Sequence, residues 1–325
     1  MREASFIKQN KPRWEEFEKI VSQQKQAPPD KLAELFIQIT DDLSFSHTQY
    51  PNSRTTQYLN ALAGKVHLEI YKNKREDKNR LITFWKAELP HIMHEVQKPL
   101  FYAFLIFMIA GIIGAVSTAY DDTFVRLILG DGYVNMTLEN IKNGNPTQVY
   151  SGASPLEMFF QITLNNILVS FKVFVYGFFA SIGTGFYLFY NGLMVGTFLM
   201  FFSQESELTQ ALPVIMLHGT VELSSIVIAA AAGFTMGNSL LFPGTYSRLA
   251  SFKMGALKGL KIVIGLVPFF ILAGFIESFI TRFAFMHWGL KAIIIGASAF
   301  LMIYYFVIYP IQLQRNESFY TDRVS

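Results

Sequence analysis

The sequence predicts an all-α, polytopic membrane protein, with about six transmembrane helices after an amino-terminal cytoplasmic helical bundle. Hydrophobic residues fill 51% of the 325 positions, with 32 Phe and a mean hydropathy of +0.31, too apolar for an ordinary soluble protein. The average hides a boundary: through Lys98 the chain carries 16 Lys or Arg and 13 Asp or Glu, an ordinary soluble density. Pro99 to Tyr120 then gives 22 residues without a formal charge. That length crosses about 30 Å of hydrocarbon as a helix. The expected domains are therefore a cytoplasmic helical domain (1–98), a transmembrane domain (99–310) and a cytoplasmic tail (311–325).

The amino-terminal part reads as four short helices. Asn10 and Pro12 fit a helix start, followed by a stripe of Trp14, Phe17, Ile20 and Val21. Pro28-Pro29 breaks the pattern, and Asp30 caps a second helix with Leu32, Leu35, Phe36, Ile39 and Leu43. After Pro51, Ser53 starts a third, with Tyr58, Leu62, Val66 and Ile70 on one side. A charged bend, Lys72 to Arg80, leads to Leu81, Phe84, Trp85 and Leu89. A small antiparallel bundle is the economical reading. Arg2, Glu3 and Lys8 with no apolar core behind them do not form a signal peptide, so the first span is expected to act as an uncleaved one.

Six crossings are expected beyond Lys98. The Asp121–Glu157 loop is acidic, whereas the loop with Arg248, Lys253 and Lys258 has basic residues and no acidic ones. By the positive-inside rule the second loop is cytoplasmic, which places both termini inside. Phe159 to Ser170, interrupted by Gln161, Asn165 and Asn166, reads as a lead-in to a second span ending near Tyr190. Asn191-Gly192 is a turn signal, leaving Leu193 to Phe202 as a short third piece. The fourth crossing is the apolar run from Ala211 to Gly237; the fifth and sixth lie near Leu260–Ile280 and Ala292–Tyr309. Gly192 and Gly196, and Gly233 and Gly237, are each four apart, a helix-packing signal.

Within the fourth crossing only His218 and Glu222 can carry charge. Four residues apart, they share one helix face, with Ser225 one further turn along. An ionisable side chain at that depth is costly and marks a functional face by default. Asn165, Asn166 and Asn191 are candidates to share this polar site. Two ligands on one face are too few for a metal centre. No second acidic residue is expected at the depth of Glu222, so no metal site, cofactor or catalytic residue is expected. His91 and His94 read as an interfacial elbow. Glu277 and Arg282 read as a solvated pair near the outer end of the fifth span. The absence of Cys excludes disulfides and thiolate metal sites. A net charge of +3 gives no support for nucleic-acid binding.

These landmarks carry a resemblance. Asn165-Asn166, Phe189-Tyr190-Asn191-Gly192, Leu217-His218-Gly219-Thr220-Val221-Glu222-Leu223 and Ala231-Ala232-Gly233 occur in order behind a helical domain containing Trp14. The set resembles the stage II sporulation protein M family, integral membrane proteins of bacteria and archaea. The resemblance implies a non-enzymatic multispan protein of the bacterial inner membrane. Such a protein would work with lipids and other envelope proteins, or as a homo-oligomer. Its namesake acts in a membrane complex that recruits peptidoglycan-degrading partners. The long amino-terminal domain resembles that of relatives in organisms that do not sporulate. The expected function is a scaffold or subunit of an envelope complex; the alternative is a proton- or ion-coupled transporter using His218 and Glu222.

Overall fold

The structure is a computed structural model that describes residues 2–22, 29–72, 80–144, 154–281 and 286–324. Arg282 lies outside them, as do the side chains of Ile20, Val21, Asp30, Leu32, Val66, His67 and Ile70. The fold is helical, with no strand among the described residues. It divides into two compact units, residues 1–80 and 81–325.

In the first unit, helices α1 (Glu3–Ser22), α2 (Pro29–Gln49) and α3 (Arg54–Lys72) enclose Phe6, Trp14, Phe17, Leu35, Ile39, Leu59 and Leu62. The expected stripe of Trp14 and Phe17 is the core. Helix α1 nevertheless begins seven residues before Asn10, because burying Phe6 adds turns in front of Pro12. The Ser53 hydroxyl accepts from the Thr56 backbone N–H at 3.2 Å, the cap its position predicts. A polar knot closes the bundle. Asp42 Oδ2 accepts from Arg13 at 2.6 Å and from the Trp14 indole at 2.8 Å. Asn10 accepts a second bond from Arg13. Tyr58 donates to Glu18 at 2.9 Å; burial, reinforced by that carboxylate, pushes its hydroxyl up to about 12.

The second unit opens with α4 (Arg80–Thr83), a π turn (Phe84–Glu88) and α5 (Leu89–Glu95). The sequence suggests a fourth bundle helix here, but residues from Leu81 onward fold with the membrane unit. Leu89 and Met93 are fully buried in the membrane unit's core. Trp85 donates to the Gly265 carbonyl at 3.3 Å, and Tyr305 and Tyr309 donate to the carbonyls of Trp85 and Lys86. Glu88 pairs with Lys261 and Glu95 with Lys258. Gln97 donates to the Phe306 carbonyl at 3.0 Å. The interfacial elbow is thus docked along its length.

Among the described residues, six segments are long and apolar enough to cross a membrane: Gln97–Tyr120, Pro155–Phe178, Ile182–Gln204, Leu208–Leu241, Arg248–Ile280 and Trp288–Asn316. They comprise α6 (Gln97–Tyr120), α9 (Pro155–Val175) with a 3₁₀ turn, α10 (Ile182–Gln204), α11 (Leu208–Leu241), α12 (Arg248–Phe275) with a π turn, and α13 (Trp288–Ile303), which continues through a π turn into α14 (Tyr309–Val324). Between α6 and α9, the acidic loop holds α7 (Phe124–Leu129) and α8 (Asp131–Lys142). At its start the Thr123 hydroxyl and N–H hold Asp121 below the usual carboxylate range.

Two sequence expectations are corrected. Phe159–Ser170 is no lead-in but the body of the second span, and Asn191-Gly192 is no turn but the middle of α10. Asn191 donates to the Tyr187 carbonyl one turn back at 2.8 Å, so its amide is satisfied inside the helix. The chain instead reverses at Phe179–Ser181, where Ala180 and Ser181 take left-handed backbone angles (φ 51° and 69°) without a glycine. The third piece gains thirteen residues and becomes a full span.

The glycine pairs are spent within the chain. Gly192 and Gly196 face α6, where a Cβ on Gly196 would fall on the Gly111 carbonyl. Gly233 and Gly237 face Thr184, Gly177 and Ser181. Helix α11 is the central span, with 72% of its apolar window buried against 22% for α6 and 17% for the last span.

Candidate functional site

The close approach of α11 and α12 builds the site. Ala229, Ala230, Ala231 and Ala232 are fully buried, and a Cβ on Gly259 would press on the Ala232 carbonyl. Small residues on both helices bring the backbones together. Towards the other end of the pair stand the larger polar groups. His218 and Glu222 share one face of α11, as their spacing predicts. Opposite them α12 runs on through the π turn Ile276–Ile280, which carries Glu277. Single π turns recur at functional positions because the extra residue re-aims a side chain.

Glu277 is not a solvated interfacial group. Its side chain is 13% exposed, and Oε1 lies 3.7 Å from His218 Nε2. One ligand-type atom from each of His218, Glu222 and Glu277 lies within 4.8 Å of the others. The second acidic residue that sequence placed elsewhere is here. Its signal was present: Gly255, Gly259, Ile262, Leu266, Phe270 and Ala273 form the buried stripe of α12 at spacings of three and four. Glu277 falls four residues beyond Ala273, on the same stripe.

The histidine ring is held from behind. Thr281 Oγ1 lies 3.4 Å from His218 Nδ1 and donates its own proton to the Ile276 carbonyl at 3.1 Å. The hydroxyl is left to accept from Nδ1–H, which leaves Nε2 facing Glu277. Nε2 and the Glu277 carboxylate then face each other across a site with no lysine or arginine pairing with Glu222 or Glu277 among the described residues. A proton or a cation between them resolves that arrangement.

Two cavities meet at Glu222. One, of about 570 Å³, is lined by Gln161, Asn165, Asn166, Glu222 and Glu277 among others. The other, of about 290 Å³, is lined by His218, Gly219 and Glu222 with apolar residues and Tyr133. Asn165 and Asn166 therefore join the site, Asn165 exposed and Asn166 buried. Nδ2 of Asn166 is buried without a hydrogen-bond partner. Asn191 and Ser225 do not join it: both lie outside the two cavities, and the Ser225 hydroxyl is buried without a partner. His91 and His94 form no ligand group with other residues among those described.

Fold and site together define a multispan helical membrane protein with an ionisable cluster where its two most buried spans meet. Residues 103–282 match the family model of stage II sporulation protein M, more than half of the chain. The chain belongs to that family, and the matched segment includes His218, Glu222 and Glu277. Residues 4–72 match a domain of unknown function (DUF8413). No curated protein and no solved structure matches the chain.

Proposed function

We propose that the membrane domain handles protons or small cations, as a proton- or ion-coupled transporter or a channel component. The observation that supports this best is that Glu222 lines both cavities, so one carboxylate is approachable from two sides. A carboxylate in a bilayer is costly to keep and useful for carrying charge. His218 and Glu277 lie within 4.8 Å of it, a gap that one bridging water spans for proton transfer. The orientation taken for this reading puts the basic start of α12, Arg248 to Lys258, and both termini in the cytoplasm of a bacterial inner membrane. In proteoliposomes, Glu222→Gln is expected to abolish a pH-dependent flux supported by the natural chain. An unchanged flux removes Glu222 as the carrier.

A second reading is a scaffold or subunit of an envelope complex, and the family match favours it. The glycine pairs lend it no support, since both are used in packing inside the chain. Purification from native membranes in mild detergent is expected to retain stoichiometric partners or a homo-oligomer. A clean monomer overturns that reading.

A further inference from the structure

We propose that His218, Glu222 and Glu277 form a binding site for a divalent first-row transition-metal ion, with zinc as its simplest occupant. This deepens the cation-handling reading and rests on the same cluster. Three observations carry it. The first is the donor set: one imidazole nitrogen and two carboxylates from two helices, within 4.8 Å of one another. Zinc sites that keep an open position use three such nitrogen and oxygen ligands. Metal–ligand bonds of about 2.0–2.1 Å put tetrahedral ligand atoms about 3.4 Å apart. The His218–Glu277 distance of 3.7 Å is near that value, and a Glu222 carboxylate oxygen lies within 4.8 Å of both.

The second is orientation. Thr281 holds Nδ1 and leaves Nε2 aimed into the cluster, the role that an outer hydrogen-bond partner plays for metal-bound histidines. The third is a buried polar group at the same place. Asn166 is 6% exposed, its side chain reaches Glu222 although Nδ2 makes no hydrogen bond of good geometry, and it lines the cavity that contains both carboxylates. It can donate to a carboxylate oxygen that the metal leaves unbound. Charge agrees as well: a divalent cation neutralises two carboxylates with a neutral imidazole, so the loaded cluster carries no net charge into the bilayer. Nitrogen and oxygen donors together favour zinc, iron or manganese over calcium, which takes six or more oxygens.

The test uses the full chain in detergent, stripped with EDTA, equilibrated with zinc chloride and freed of unbound ion by gel filtration. About one zinc per chain is expected, with a melting temperature raised by several degrees. His218→Ala and Glu277→Gln should each reduce the bound zinc to background and erase the thermal shift. Paired His91→Ala and His94→Ala substitutions should leave both unchanged. Thr281→Val should weaken zinc binding about tenfold in competition with a chromophoric chelator. Natural chain that holds less than about 0.1 zinc per molecule overturns the site, whatever the variants do. Stoichiometric zinc that survives both His218→Ala and Glu277→Gln also overturns it. Loss of zinc binding with Glu222-dependent flux intact separates failure of the metal site from failure of the transport reading.

Discussion

The two units each contain a buried carboxylate knot, and the two knots are built on opposite principles. In the first, Asp42 receives a guanidinium and an indole N–H, and Arg13 has Asn10 as a second partner. Charge balances with groups the chain itself supplies, although the buried Arg13 Nε has no hydrogen-bond partner. In the second, Glu222 and Glu277 meet an imidazole, with no ammonium or guanidinium from the described residues. The first knot carries its own counter-charge and ties helices together. The second gathers two carboxylates and an imidazole with no cation among the described residues, which suits it to take up a proton or a metal ion.

The same substitution at both knots tests this contrast most directly. Asp42→Asn removes the charge partner of half-buried Arg13 and is expected to destabilise α1–α3 by about 2 kcal/mol. Hydrogen exchange across α1 and α2 in the full chain measures it. Glu277→Gln, in protein stripped of metal, relieves repulsion with Glu222 and is expected to change stability by no more than about 1 kcal/mol, in either direction. Thermal unfolding in detergent measures that change. Equal losses at the two knots would break the comparison.

A smaller effect sharpens it. Tyr58 donates to Glu18 in the first unit, and its folded pKa of about 12 lies above the ordinary value of 10.0. The fold favours the protonated phenol, so this stabilisation is complete below the unfolded value and is lost as pH rises through the folded one. Tyr58→Phe is expected to cost about 0.5 kcal/mol at neutral pH. Above pH 10 the loss should shrink and then reverse. Unfolding followed by tryptophan fluorescence at both pH values checks it, and a loss independent of pH would remove Tyr58 as the titrating group.

Much of the fold was legible because apolar runs of span length have few alternatives in a bilayer. Trp14, Phe17, Leu35, Ile39 and Leu62 were likewise readable from helical spacing in the first unit. The reversal at Phe179–Ser181 was not readable. Left-handed Ala and Ser leave no compositional mark, while Asn191-Gly192 imitates a turn and serves helix packing instead. Half of the site was legible in His218 and Glu222, which sit on one helix at a diagnostic spacing. Glu277 was hidden by a sound general rule, that charges near span ends reach for water. The stripe from Gly255 to Ala273 outweighs that rule, and only a reading of packing along the whole helix shows it. Asn165 and Asn166 line a cavity with Glu222, whereas Asn191 and Ser225, grouped with them by polarity alone, lie outside both cavities.

The docked elbow has a consequence in time. Trp85 and Tyr305, whose contact ties the elbow to the last span, are 220 residues apart; Trp85 and Gly265 are 180 apart. A ribosome adding about 5–20 residues per second needs about 10–40 s to make the later partners. Throughout that interval the first span must enter the bilayer with Trp85 and Leu89 lacking these partners. The elbow can close only after Gly265 and then Tyr305, Phe306 and Tyr309 have been translated and inserted. Its closure therefore waits on insertion of the last span.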